Sequence, residues 1–317
     1  MTRTIKVIVK EINQESPTVK SFKLAAADGS SLPRFSAGSH ITTYLNTKNG
    51  VIERHYSLTT DPDISRHYQI AIRRSDQSKG GSIYWYNQVA IGDHLDISYP
   101  KNHFPLSFSA KHHVFFAAGI GITPFLSMAA ALKKNGKSFE LHYAVPSKKF
   151  CAFYNFLSAT YPAETHFYFS KDGKKMTPHI MKNQSVGTHV YFCGTEAMVR
   201  EFTDEAKAFG YPEKSIHYEL FSPPDSGPLN PFQIKLNKSM QIIDVPEGKS
   251  LLETLLENSI QAPYSCKIGG CGTCQIDVLE GEVDHRDFFL SDSEKKEGHV
   301  ILTCVSRAKK GCLVLDM

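Results

Sequence analysis

The segment Pro263-Tyr-Ser-Cys-Lys-Ile-Gly-Gly-Cys-Gly-Thr-Cys274 contains Cys266, Cys271 and Cys274 in the spacing C-x4-C-x2-C. A fourth cysteine, Cys304, follows after a polar segment. This spacing is typical of plant-type [2Fe–2S] sites, in which four thiolates bind two irons. The glycines of the loop allow the backbone to fold around inorganic sulfide without Cβ clashes. The sequence therefore predicts a [2Fe–2S] cluster bound by these four cysteines.

A structural zinc site made of the same four cysteines is the alternative. Zinc ribbons usually pair two C-x2-C knuckles. Here there is one C-x2-C, and the four-residue arm beside it is rich in glycine. The spacing therefore favours iron and sulfide over zinc, and a zinc-binding protein without enzyme activity stays as the rival hypothesis.

Composition and charge narrow the range of partners. The chain has 317 residues and a formal net charge of +4, too small to indicate nucleic-acid or membrane binding. Seven cysteines in a chain of this length do not form a disulfide framework, so a reducing cytoplasm is expected. The uncharged run Val114–Leu132 is long enough to span a membrane, but two glycines and a proline interrupt it. The run is better explained as a strand, a turn and a helix.

The segment 1–105 alternates apolar and polar residues in short runs. Strands are predicted around residues 5–9, 41–45, 68–72 and 95–97. Several short strands with turns between them indicate an all-β barrel.

Two stretches of this barrel suggest a nucleotide site. Arg54-His-Tyr-Ser57 offers a cation and an aromatic ring, and Lys79-Gly-Gly-Ser82 precedes a helix predicted over 82–89. Bare amides at such a turn can hold a phosphate. Together they provide what flavin mononucleotide needs. Each feature taken alone also fits a surface charge, a strand aromatic or an ordinary turn.

The segment 106–221 begins with a buried strand, His112–Ala118. Gly119-Ile-Gly-Ile-Thr-Pro124 follows, and then a helix to about Lys134. We expect Thr123 to cap this helix and Pro124 to take its first position. A strand, glycine turn and helix in this order present amides to a pyrophosphate. The match to G-x-G-x-x-G is partial, because proline stands where the third glycine would be.

The rest of this segment alternates strands and helices, which indicates a doubly wound α/β domain with a mostly parallel sheet. The predicted strands cover 140–144, 165–170, 189–193 and 216–220, and the predicted helices cover 153–158 and 197–209. Cys193 and Gly194 end a strand, where ligands bind in open α/β sheets. The alternative for Cys193 is a small buried core residue.

Four prolines and a glycine mark residues 222–231 as a linker. The segment 232–317 follows it. Strands are predicted at 232–236, 240–245 and 274–280, and Ser250 and Glu253 form a capping box that opens a helix to Asn258. The charged loop Asp284–Asp287 is expected to be solvated or salt-bridged, and Cys312 to lie in the core.

The order of these motifs along the whole chain resembles the phthalate dioxygenase reductase family, the FMN- and [2Fe–2S]-containing reductases of Rieske oxygenases. The resemblance implies a multidomain fold. Its parts would be an all-β flavin-binding barrel (1–105), a ferredoxin reductase-like α/β nucleotide-binding domain (106–221) and an α+β β-grasp ferredoxin domain (232–317). Within the family the chain is most similar to carnitine monooxygenase reductases and next to vanillate demethylase reductases.

The resemblance also implies site residues. For FMN these are Arg54, Tyr56 and Ser57, with a phosphate turn at Gly80, Gly81 and Ser82. For NADH they are Gly119, Gly121, Thr123 and Pro124. Cys193 and Gly194 match a C-G-P motif whose cysteine lies near the nicotinamide, although Thr195 replaces the proline. Phe221 matches the aromatic residue that ends the nucleotide-binding domain beside the flavin.

The implied function is electron transfer from NADH through FMN and the [2Fe–2S] cluster to a Rieske non-haem iron oxygenase, such as carnitine monooxygenase or an aromatic O-demethylase or dioxygenase. The alternative is an NAD(P)H reductase that uses FAD and serves a cytochrome or a diiron hydroxylase. Lys171, Lys174 and Lys175 follow a predicted strand where the 2′-phosphate of NADPH could bind, so the nucleotide preference stays open.

Overall fold

The first six strands form an antiparallel sheet in the computed structural model, which describes residues 3–48, 50–64, 66–75, 80–223 and 227–317. They are β1 (Thr4–Ser16), β2 (Val19–Ala26), β3 (His40–Thr47), β4 (Gly50–Ser57), β5 (Tyr68–Arg73) and β6 (His94–Ser98). The strand order is β4-β3-β6-β1-β2-β5. A bridge between Leu58 and Ile70 joins the two edges and closes the barrel.

The barrel interior is filled by the apolar residues of the alternating runs, so the predicted all-β barrel is confirmed. Val7, Ile41 and Ile70 are fully buried. Helix α1 (Gly81–Asn87) places Trp85 against Phe22 with ring centroids 4.8 Å apart. Strand β2 was not among the predicted strands.

The second sheet is parallel throughout. Its strands are β7 (His112–Ala118), β8 (Ser138–Val145), β9 (Thr165–Phe169), β10 (Thr188–Cys193) and β11 (Ile216–Glu219). Its helices are α2 (Thr123–Lys134), α3 (Tyr154–Thr160) and α4 (Glu196–Ala208). The order β11-β10-β7-β8-β9 reverses direction between β7 and β10. Open α/β sheets bind ligands at such a switch point, and the predicted doubly wound domain is confirmed.

The start of α2 differs from the prediction. Residues Gly119–Ile122 form a short 3-10 helix, so the chain is already helical when it reaches Thr123. Ile122 takes the cap position, and the Thr123 hydroxyl donates to the carbonyl of Ile120 at 3.0 Å. Thr123 is therefore the first residue of the helix, and its predicted capping role was wrong.

The carboxyl-terminal part is built on a mixed sheet of order β13-β12-β18-β14-β16, with a separate pair β15-β17. The strands are β12 (Phe232–Leu236), β13 (Ile242–Val245), β14 (Gln275–Glu280), β15 (Val283–Asp284), β16 (Val300–Leu302), β17 (Arg307–Ala308) and β18 (Cys312–Leu315). The helices are α5 (Leu251–Glu257) and α6 (Asp292–Glu297). The capping box of Ser250 and Glu253 is present as predicted. Cys312 is exposed, so its predicted core position was wrong.

By contacts between residues the chain divides into two compact units, Met1–Glu219 and Leu220–Met317. Lys79, and residues 224–226 of the predicted linker, lie outside the described residues. Among the helices that the structure describes, none has the length and apolar character needed to cross a bilayer.

Candidate flavin, nucleotide and iron–sulfur sites

The four predicted cluster cysteines come together as two pairs. Cys266 hydrogen-bonds to Cys271, and the Sγ atoms of Cys274 and Cys304 lie 3.2 Å apart. Electrostatic interactions of Cys271 with Cys274 and of Cys266 with Cys304 join the two pairs. A [2Fe–2S] cluster needs two thiolates for each iron. The donor set and its division into two pairs therefore fit this cluster.

Each pair holds one thiol that ionises readily. The hydrogen bond with Cys266 lowers the pKa of Cys271 to about 4, and the hydrogen bond with Cys304 lowers the pKa of Cys274 to about 7. The pKa values of Cys266 and Cys304 are raised in return, first by those hydrogen bonds and then by burial. Metals bind the thiolate form, so this environment favours ligation by Cys271 and Cys274.

Close packing fixes the loop that carries the cysteines. A Cβ on Gly272 would lie 2.4 Å from the Phe289 ring, and one on Gly269 would lie 2.7 Å from a Val305 methyl group. Both glycines have positive φ. Only glycine fits these two positions at low cost. No described protein atom lies within 4 Å of a Cβ built on Gly270, so protein packing does not explain that glycine.

Sequence reasoning missed the role of Asp287 beside this loop. The residue is 5% exposed, and its Oδ1 accepts hydrogen bonds from the amides of Phe289 and Leu290 at 3.0 and 2.8 Å. The Phe288 amide donates to the carbonyl of Gly269. Asp287 is thus buried rather than solvated, and Lys295 Nζ lies 3.8 Å from its Oδ1, so the second alternative, a salt-bridged loop, is the one found. Its neighbours Asp284 and Arg286 also form a salt bridge, at 2.7 Å.

The two predicted nucleotide motifs meet at the switch point of the parallel sheet. A Cβ on Gly121 would lie 2.1 Å from the carbonyl oxygen of Cys193 and 2.9 Å from the Gly194 nitrogen. The turn after β7 therefore packs directly against the end of β10. Cys193 itself is fully buried, and burial raises the pKa of its thiol well above the ordinary value. The Cys193 side chain can therefore line this part of the sheet as a neutral, apolar group rather than as a thiolate.

Glu219 is a second residue that the sequence did not single out. It is the residue opposite Cys193 across β10 and β11. Its Oε2 is shielded from solvent and has no hydrogen-bond partner among the described residues. Burial raises its pKa to about 8. A carboxyl group that can hold a proton near neutral pH therefore lies beside Cys193.

The predicted flavin residues also come together. The Arg54 side chain lies against Gly81, where a Cβ would be 2.5 Å from its Nε. Gly80, with φ 93°, precedes α1. Ser82 lies in the first turn of that helix. A guanidinium packed on a side-chain-free backbone turn is suited to hold a phosphate.

Tyr56 and Ser57 end β4 close to the barrel core. The Tyr56 ring meets Trp85 edge-on with centroids 6.0 Å apart, and burial raises the pKa of its hydroxyl. Ser57 is 5% exposed. Phe221 follows β11 by two residues, falls in the second compact unit and is 44% exposed. Its place beside a flavin stays a prediction.

Three family models cover most of the chain. An oxidoreductase FAD-binding domain matches residues 6–105, and a 2Fe-2S iron–sulfur cluster binding domain matches residues 234–309. Between them, residues 100–216 match the N-terminal domain of the dimethylamine monooxygenase subunit DmmA-like family.

Whole-length relatives have named roles. The chain is 37% identical to the heme-dependent oxidative N-demethylase beta subunit of Ectopseudomonas mendocina (strain ymp), over 100% of both chains. It is 37% identical to the carnitine monooxygenase reductase subunit of Escherichia coli (strain K12), over 98% of both.

A solved phthalate dioxygenase reductase, described as a modular structure for electron transfer from pyridine nucleotides to [2Fe–2S], superposes with a TM-score of 0.77. The identity is 32%, and the match covers 99% of this chain and 98% of that one. The chain therefore belongs to the phthalate dioxygenase reductase family of oxidoreductases, which join a flavin-binding barrel, a nucleotide-binding domain and a [2Fe–2S] ferredoxin domain.

Proposed function

We propose that the chain is the reductase component of an oxygenase system and passes electrons from NADH through FMN and a [2Fe–2S] cluster to a Rieske-type oxygenase. The observation that carries this proposal is the similarity over the full length to reductase subunits, combined with two cysteine pairs that suit the cluster. Reconstitution with a purified oxygenase tests it: NADH-dependent product should form only when the reductase is present.

The chain's own residues would do the positioning. When bound, the flavin accepts a hydride and releases single electrons, which the cluster then carries. Arg54 and the bare backbone at Gly81 would hold the flavin phosphate. Gly121 lets the nucleotide turn approach Cys193, whose buried side chain would form an apolar wall behind the nicotinamide. Cys266, Cys271, Cys274 and Cys304 would hold the two irons.

FMN is the flavin that the family resemblance implies, and the matched barrel family is described as FAD-binding. Denaturing the purified protein and separating the released flavin by chromatography distinguishes the two. Recovery of FAD alone would contradict the proposal on this point and leave the electron path untouched.

NADH is proposed as the electron donor, with NADPH as the rival. Lys174 and Lys175 line a cavity of about 520 Å³ beside β9, together with His166 and Tyr168. Measuring kcat/KM for NADH and for NADPH decides whether these lysines bind a 2′-phosphate. A higher value for NADPH that falls in the Lys174→Ala, Lys175→Ala double variant would overturn the NADH preference.

The partner has two candidates. A carnitine monooxygenase is favoured by the reductase subunits named for that enzyme. The family resemblance implies that such an oxygenase is of the Rieske type. A haem-dependent oxidative N-demethylase is favoured by the beta subunit that matches over the full length and by the DmmA-like central region. Reconstituting the reductase separately with each oxygenase, and scoring product formed per NADH consumed, decides between them.

We further propose that the protein is located in a reducing cytoplasm, which the number and use of the cysteines support.

We also propose domains at 1–105, 106–221 and 232–317, joined by the linker 222–231. Limited proteolysis tests the linker: a first cut within 222–231 is expected, and a first cut inside a domain would contradict it.

A further inference from the structure

A group of metal-binding side chains lies on the parallel sheet, apart from the residues assigned to electron transfer. Glu140 and His142 belong to β8, and His166 on β9 is the direct neighbour of His142 across the two strands. One ligand atom from each residue lies within 4.8 Å of the other two. Two imidazoles and a carboxylate are a ligand set that zinc uses in proteins.

The surroundings hold the middle ligand in place. His142 Nδ1 lies 2.9 Å from the Tyr168 hydroxyl, and Nε2 lies 3.1 Å from Glu140 Oε2. The His142 ring is stacked on Phe116, with centroids 5.1 Å apart. The His166 ring lies nearly parallel on its other face, at 4.8 Å and 15°, so the exposed His166 side chain has to turn out of this stack to point a nitrogen at a shared ion. Metal-binding histidines usually make such a hydrogen bond through the second ring nitrogen, which fixes the tautomer. Tyr168 can accept from Nδ1–H and leave Nε2 for the metal.

The carboxylate is supported as well. Glu140 Oε1 lies 3.6 Å from His112 Nε2, and Gln184 Nε2 donates to Oε2 at 3.3 Å. His166 is exposed and lines the cavity beside β9, so solvent can reach the group from that side. Lys174 and Lys175 line the same cavity and oppose binding of a cation. Anionic or neutral ligands from solvent could complete the coordination there.

We propose that Glu140, His142 and His166 bind a first-row divalent metal ion of the Zn²⁺ class on the nucleotide-binding sheet, with water from the cavity as the fourth ligand. The mixture of imidazole and carboxylate suits Zn²⁺ better than Mg²⁺ or Ca²⁺, which prefer oxygen ligands. The ion would link neighbouring strands β8 and β9 and would not take part in the proposed electron path.

Zinc chloride binding to the full-length, tag-free protein tests the proposal, with iron and sulfide measured so that the four cluster cysteines are known to be occupied. We expect one equivalent of Zn²⁺ by calorimetry and by metal analysis after dialysis. X-ray absorption at the zinc edge should show nitrogen and oxygen ligands. Sulfur ligation would overturn the proposal, because it would place the zinc on cysteines.

Variants locate the site. Glu140→Gln and His166→Gln should each lower the zinc affinity at least 10-fold, and Tyr168→Phe should lower it about 10- to 100-fold, the range for residues that orient a ligand. His94→Gln removes an exposed histidine of the barrel and should leave the affinity unchanged. Absence of zinc binding, or equal binding by wild type and His166→Gln, would overturn the proposal.

Discussion

Cys193 and Glu219 face each other across the last two strands of the parallel sheet, at the edge where the Gly121 turn meets β10. The thiol is fully buried, and Oε2 of the carboxyl group has no hydrogen-bond partner among the described residues. A neutral thiol and a carboxyl group that holds its proton to unusually high pH thus lie side by side at the proposed nicotinamide site.

The Glu219 carboxyl should make stability depend on pH. Its pKa is about 8 in the folded chain and 4.5 without burial. Below pH 4.5 both states keep the proton, and between about 4.5 and 8 only the unfolded state loses it. Stability should therefore fall as pH rises through that window, by on the order of 2–4 kcal/mol. The side chain in Glu219→Gln does not ionise, so the stability of this variant should not fall in the same way. The melting temperatures of variant and wild type should therefore diverge from pH 5 to pH 8. Parallel curves would contradict this assignment.

Cys193→Ala should slow reduction of the flavin by NADH at least about 10-fold, the change produced by roughly 1.4 kcal/mol. The reason is the cavity and lost contact that the substitution leaves behind the nicotinamide. Stopped-flow absorbance measures the rate, and iron and sulfide content should stay at the wild-type level. Cys151→Ala is the matched control, because Cys151 is also buried in the same hydrophobic core. Equal rates of flavin reduction in the two variants would show that Cys193 does not belong to the nicotinamide site.

Arg54→Ala should weaken flavin binding by roughly 10- to 100-fold, since a charge-assisted hydrogen bond contributes about 1.5–3 kcal/mol. Titration of flavin-free protein, followed by quenching of flavin fluorescence, gives the dissociation constant. Arg34→Ala replaces an exposed arginine of the same barrel and serves as the control. If the flavin affinity of Arg54→Ala is unchanged, the flavin phosphate is not bound by Arg54.

Asp287→Ala should loosen the cluster loop. Two backbone amides lose their acceptor, and each unsatisfied buried donor costs about 1–3 kcal/mol. We expect faster loss of iron and sulfide on exposure to a chelator, followed by the decay of visible absorbance. Asp292→Ala, at the start of α6, is the control on the same segment. A decay as slow as in wild type would show that Asp287 does not hold the loop.

Local patterns predicted most of the elements. The run His112–Ala118, the capping box at Ser250 and the helix ending at Lys134 depend on residues close in sequence, and each was found. Thr123 was misassigned because the glycine turn before it coils into a 3-10 helix, which a search for capping residues does not anticipate.

The candidate site was predictable only where a motif names it. The cysteine spacing led to the two pairs, whereas Asp287 and Glu219 are ordinary charged residues in the sequence. Their environments follow from tertiary packing: Asp287 packs against the Gly269 loop, and Glu219 pairs with Cys193 across two strands. The same holds for His142 and His166, which lie 24 positions apart and become neighbours only through strand pairing.

The most direct test of the central claim is anaerobic titration of the purified protein with NADH, followed by visible absorbance and electron paramagnetic resonance. The account predicts that flavin absorbance bleaches and that the paramagnetic signal of a reduced [2Fe–2S] cluster appears with it, without any other protein present. A protein that is colourless and contains zinc, or a cluster that stays oxidised under excess NADH while the flavin is reduced, would contradict it.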